Sequence, residues 1–184
     1  MATTISRTAR YGSLSIGLHW LMLVLLATVY ACIELRGIFP RGSDARQMMQ
    51  TWHFMLGLSV FVLAALRLFV NLLSATPAAL PATRWQAFAA RAAHLALYAL
   101  MLGMPLVGWL LLSASGKPIP FFGLDLPALI SESRAARRLI KDVHETGGTV
   151  FYLLIGLHAA AALYHHYVVR DNTLRRMLPA RAES

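Results

Sequence analysis

Four stretches of this chain, about Leu14–Leu35, Trp52–Leu73, Ala92–Leu112 and Val143–Val169, are apolar over a length that matches a membrane. A hydrocarbon layer of ~30 Å takes about 20 helical residues to cross. The expectation is therefore an all-α integral membrane four-helix bundle. Composition agrees, with 58% hydrophobic and 14% charged residues and a mean hydropathy of +0.58. A soluble domain sits nearer about 45–50% apolar and 25% charged. The 184 residues allow one domain, 1–184.

The joints between the spans are legible too. Pro77 and Pro81 end one helix before the next begins. Gly116, Pro118 and Pro120 open a longer loop over 113–142, whose second half, SESRAARRLIKDVHE, has high helix propensity and many cations. That half is expected to form a short surface helix in the loop between helices 3 and 4. The first apolar run is longer than a signal-peptide core and no A-x-A site follows it, so it is expected to stay. The lone cysteine, Cys32, excludes an internal disulfide and cysteine-held zinc or iron–sulfur centres.

The net charge of +9 would suggest nucleic acid in a soluble chain. Here the cations gather at the ends of apolar runs, so a lipid bilayer is the expected partner and nucleic acid is not. Nine cations, from Arg7 and Arg10 to Arg181, fall on the side of the two termini and eight on the other, nearly a tie. The compact LRRMLPAR run close to its helix end tips the orientation toward both termini cytoplasmic.

Histidine is costly in hydrocarbon, and an intramembrane one is a functional candidate by default. His144 and His158 on the fourth span are 158 − 144 = 14 positions apart. That is roughly 21 Å of helix axis and only about 40° short of four full turns, so both share one face near opposite membrane surfaces. With the termini inside, His53 matches the depth of His144 and His19 that of His158. Each pair can give a haem iron two imidazoles, the ligation suited to electron transfer. A single such histidine is often just a hydrogen-bonded core residue; four at matched depths on antiparallel spans argue against that. Gly57, Gly147, Gly148, Gly156 and Ala159–Ala162 either let a flat macrocycle approach or simply allow tight helix packing. His94 stands as an alternative to His19. His165, seven residues past His158, either meets a quinone, with His94 at similar depth, or binds a haem propionate or headgroup, the role expected of His166. Trp20, Trp52, Trp85 and Trp109 read as an aromatic belt. Arg67, Arg36 and Arg84 either pair with propionates or snorkel to headgroups.

The motifs SIGLHW, ELRGIFPR, HLALY, HETGG, IGLHAAAALYHHY and DNTLRRMLP resemble the bacterial cytochrome b561 family, specifically its superoxide oxidase branch, over nearly the whole chain. The resemblance implies four transmembrane helices in the bacterial inner membrane holding two b haems. It makes His19 and His158 the iron ligands of the cytoplasmic-side haem and His53 and His144 those of the periplasmic-side haem. It implies oxidation of superoxide to dioxygen outside, with electrons passing through the haems to ubiquinone and no obligatory protein partner. His165 falls where the family's quinone site would be, with His94 nearby. Superoxide then needs no catalytic residue, because outer-sphere transfer at a haem edge suffices.

Two other classes compete. One is a cytochrome b anchor subunit relaying electrons between a dehydrogenase or hydrogenase and quinone. The other is a small transporter with histidine proton relays. The loop cations Arg134, Arg137, Arg138 and Lys141 either steer an anionic substrate or form a solvated helix face balanced by Glu132, Asp142 and Glu145.

Overall fold

The computed structural model describes residues 10–74, 77, 78 and 80–179; Arg7 and Arg181, counted above for orientation, lie outside them. Four long helices carry the fold, α1 (Ser13–Leu35), α2 (Asp44–Leu73), α3 (Arg84–Ala114) and α4 (Arg134–Tyr164), and each is long and apolar enough to cross a membrane. The all-α bundle holds.

The helices outrun their apolar cores because capping, not hydropathy, sets where they start. Ser43 opens α2 by accepting from the Arg46 amide at 3.3 Å, with Asp44 in the first turn facing the positive end of the helix dipole. Thr83 and Gln86 form a reciprocal capping box at the start of α3. Pro105 lies inside α3 and is buried, so the Met101 carbonyl one turn back loses its helical donor at an interface where both residues are packed.

The expected separate surface helix is corrected. Its residues are helical, but they run unbroken into the fourth span as the first turns of α4. Ser133 caps that start by accepting from the Ala136 amide at 3.3 Å, and no glycine or proline interrupts the chain before Gly147.

The α3–α4 loop also holds a two-stranded antiparallel hairpin, β1 (Pro120–Phe121) and β2 (Leu124–Asp125). Its turn places Phe122 at φ 48° and Gly123 at φ 88°, the two positive values of a tight hairpin turn. Ile119, leading into the hairpin, is 2% exposed against Leu58 and Leu112 and plugs that end of the bundle. The Trp109 indole donates to the Pro127 carbonyl at 2.9 Å, so this residue ties the loop down rather than serving only as a belt aromatic.

Packing is sequential. The backbones of α1 and α2, α2 and α3, and α3 and α4 approach closely, whereas α1 and α4 do not. The main core joins Met22, Leu26 and Val29 of α1 to Val60 and Ala64 of α2, Met101 of α3 and a single α4 residue, Phe151. No other α4 side chain is buried. Beside Phe151, the Tyr30 hydroxyl donates to the Gly148 carbonyl at 2.8 Å, and the Tyr30 ring stands 6.4 Å from that of Phe151. The bundle thus has a waist at mid-membrane, and α4 stands away from α1 on either side of it. Phe151 is seven residues from both His144 and His158, so the waist and both histidines share one face of α4.

At the end that carries both termini, the tail is strapped down. Arg10 donates to the carbonyls of Arg175, Leu178 and Pro179 at 3.3, 2.7 and 3.2 Å. Trp20, read from sequence as a belt residue, donates to the Met177 carbonyl at 2.7 Å and fastens the tail to α1.

Candidate functional site

The waist divides the interior into two sites. At the loop end, His53 of α2 faces His144 of α4 with ring centres 6.3 Å apart. The His53 Nδ1 lies 3.0 Å from the Val29 carbonyl, the bond that puts its proton on Nδ1 and leaves Nε2 free to ligate. Gly108 of α3 makes room for the partner ring, since a Cβ there would stand 3.2 Å from His144 Cε1. Sequence reading had no signal for Gly108 or for the Val29 carbonyl, both of which depend on neighbouring helices.

At the terminal end three histidines converge. The His158 ring lies 6.4 Å from that of His19 and 5.4 Å from that of His94. Two metal–imidazole bonds of about 2.0 Å each, plus the step from nitrogen to ring centre, separate two ring centres by roughly 6.3 Å. The His19–His158 spacing matches that span as the His53–His144 spacing does, whereas the His94–His158 spacing falls short of it. His94 lies at the same end as this pair.

Both sites fit a b haem. The Nδ1 atoms of His19 and His144 are enclosed and have no partner among the described residues, as expected where a planar group with its own polar edge is to lie. Cβ atoms added at Gly57, Gly148 and Gly156 would meet open space, so these positions border room rather than a packed helix. Gly147 differs: a Cβ there would stand 2.6 Å from Met104 Sδ, and this glycine serves the close approach of α3 and α4.

His165 and His166 lie in a π-helical turn, His165–Val169, that closes α4. Neither makes a ring contact with the His19–His94–His158 cluster among the described residues. His165 Nδ1 instead meets Asp171 Oδ2 at 2.6 Å, and Asp171 Oδ1 accepts from the Thr173 amide at 2.8 Å. Burial alone would raise the Asp171 carboxyl, but the hydrogen bonds from Thr173 and His165 outweigh it and hold it below the usual carboxylate range. What the carboxylate adds to this turn is therefore present above its unfolded value and lost as pH falls through the depressed one. A hollow of about 340 Å³ lies beside it, lined by His166, Tyr167, Arg170, Asp171 and Arg175. Sequence reading named His165 but missed Asp171, six residues on across a turn that leaves the α-helical register.

At the loop end, Arg134, Arg137, Arg138 and Lys141 line one hollow of about 480 Å³ on the first turns of α4. Lys141 is paired with Glu145 at 2.6 Å in an exposed bridge, while the three arginines make no ion pair among the described residues. Arg84 is the first residue of α3, outside either site.

Four membrane helices around paired histidines define a membrane cytochrome of the b type, and comparison with known proteins agrees. Residues 10–180 match the family described as prokaryotic cytochrome b561. Cytochrome b561 homolog 1 of Escherichia coli (strain K12) is 40% identical over 173 residues, 94% of this chain and 98% of the relative. A probable superoxide oxidase, CybB, of Yersinia pestis is 36% identical over 171 residues, 92% of this chain and 96% of the relative. Cytochrome b561 homolog 2 of the same E. coli strain is 30% identical over 171 residues, 92% and 91%. The chain belongs to the prokaryotic cytochrome b561 family. It is a multi-pass protein of the bacterial inner membrane, a haem-binding electron carrier by class.

Proposed function

We propose that this chain is a single-domain di-haem cytochrome, with both termini cytoplasmic, that oxidises superoxide at the periplasmic face and reduces ubiquinone. The observation that carries the reading is the matched geometry of His53–His144 and His19–His158, 6.3 and 6.4 Å apart at opposite ends of α4. The 36% identical relative described as a probable superoxide oxidase supports the choice of substrate. Two b haems, when bound, supply a one-electron relay, so two superoxide anions yield two dioxygen molecules while the two electrons and two protons convert one ubiquinone to ubiquinol.

The residues of the chain do the rest. His53 and His144 would hold one haem and His19 and His158 the other, and two imidazoles for each iron would leave superoxide to react without ligation. Arg134, Arg137, Arg138 and Lys141 raise the local concentration of the anion. His165, donating through Nδ1 to Asp171, leaves Nε2 to pass a proton to a quinone oxygen as the quinone is reduced. His94 stands beside His158 at the same end.

The test is a reduced-minus-oxidised spectrum of the purified chain with haem counted per protein, followed by superoxide-dependent ubiquinone reduction. Two haems and turnover without a partner are expected. A preparation that turns over only with a co-purifying dehydrogenase or hydrogenase would make the chain an anchor subunit instead.

The His165–Asp171 pair gives a further expectation. His165→Gln should slow ubiquinone reduction about a hundredfold, the low end of what a positioned acid–base group contributes, while superoxide still reduces both haems. Asp171→Asn should slow it less. Normal quinone turnover in both variants would leave the pair as a structural clasp of the π-helical turn.

A further inference from the structure

Arg67 has no counter-charge among the described residues. It lies within α2, and its Nε is enclosed with no hydrogen-bond partner among the described residues. The guanidinium carbon stands 5.8 Å from the centre of the Tyr98 ring. A partly enclosed guanidinium in a membrane helix is costly unless an anion meets it. The protein has few to offer. Of the eight acidic residues, Glu34, Asp44, Asp125, Glu132, Asp142 and Glu145 belong to the loop end. Asp171 is committed to His165 and Thr173, and Glu183 lies outside the described residues.

The position of Arg67 says where the anion should be. It is 67 − 53 = 14 residues beyond His53, the same spacing that separates His144 from His158. Val60, 3% exposed, lies midway on α2 as Phe151 does on α4. The α2 face that offers a histidine at one end of the bundle therefore offers an arginine at the other. Arg67 is within Coulombic reach of His19, His94 and His158.

A second donor ends at the same place. Ser15 donates to the Asn71 oxygen at 3.2 Å, and the Asn71 amide nitrogen donates to the Tyr98 hydroxyl at 2.9 Å. This chain crosses α1, α2 and α3 and delivers a Tyr98 O–H with no acceptor among the described residues. An enclosed guanidinium N–H and a phenolic O–H on neighbouring side chains, both lacking an acceptor among the described residues, suit a carboxylate.

We propose that Arg67 and the Tyr98 hydroxyl, oriented by Asn71 and Ser15, form a buried carboxylate site that takes a propionate of the haem held by His19 and His158. This rests on the two-haem reading above. Arg67 is then a positioning residue that also sets that haem's redox poise, since a fixed cation favours the state with one more electron.

The test is potentiometry of the holoprotein with optical readout of each haem, His53→Ala serving to identify the terminal-end one. In Arg67→Gln the reduced-to-oxidised ratio of that haem at fixed ambient potential should fall about tenfold, which is ~59 mV for a one-electron couple. The other haem should not move. Arg67→Lys, which keeps the charge, should recover most of the loss, and Tyr98→Phe should shift the propionate bending band in the resonance Raman spectrum of the same haem. Unchanged potentials in Arg67→Gln, or an equal fall in both haems, would overturn the proposal. If Arg67→Gln loses the terminal-end haem, retention of that haem in Arg67→Lys supports the site, and its loss in both variants overturns the role of charge. Failure of the underlying reading shows separately, as wild-type protein whose haem content does not change in His158→Ala.

Discussion

Alanine at His53 or at His144 is expected to remove the same haem, taking the content from two per chain to one and leaving the other spectrally intact. Alanine at His19 or His158 should remove the other. The pairing follows from the ring separations of 6.3 and 6.4 Å, and from the weakness of a single imidazole as the sole protein ligand to a b haem. Haem content and two-step potentiometry of the four variants check it. His94→Ala is the decisive control, because His94 lies nearer His158 than His19 does, 5.4 against 6.4 Å. That variant should keep both haems. If it lost one while His19→Ala kept two, the terminal-end site would have to be rebuilt around His94.

The second large effect is kinetic. With Arg134, Arg137 and Arg138 around one hollow and in no ion pair among the described residues, a small anion meets a surface of one sign. Such a field raises encounter rates by about 10-fold or more. It is screened over a Debye length of ~10 Å at 0.1 M salt. Superoxide oxidation should therefore slow as ionic strength rises. Reversing Arg134 and Arg137 to glutamate should slow it about tenfold and flatten the salt dependence. Lys141 is the poorer target, since its exposed bridge to Glu145 already offsets its charge. Reduction by a neutral quinol should change little in both experiments. A superoxide rate indifferent to salt and to charge reversal would reduce this face to scaffold.

Much of this architecture was legible in the order of residues because the membrane imposes one strong rule, that a helix crosses as an apolar run. The same rule sorted the histidines by depth, and depth paired them before any coordinates did. Contacts between helices were not legible. Gly147 and Gly148 are adjacent, yet one packs on Met104 and the other borders open space and accepts from Tyr30. Arg67 read equally well as a snorkelling side chain until its enclosed Nε was seen. The start of α4 was misjudged as a separate helix because its charge suggested the surface, whereas backbone continuity depends on the absence of a breaker between Ser133 and Gly147. Asp171 is not legible as a partner of His165 because the π-helical turn between them breaks the 3.6-residue register.

The single buried contact of α4 at Phe151 bears on how the protein is made. Helices α1, α2 and α3 emerge first and close on one another through Met22, Leu26, Val60, Ala64 and Met101, without needing the last helix. When α4 follows, it packs along α3, and its one buried side chain meets α1 at the Tyr30–Gly148–Phe151 waist. On the reading proposed above, a haem would enter from the side through the seam between α1 and α4, above or below that waist, and a chain made without haem would leave Gly156 and its alanine neighbours open along it.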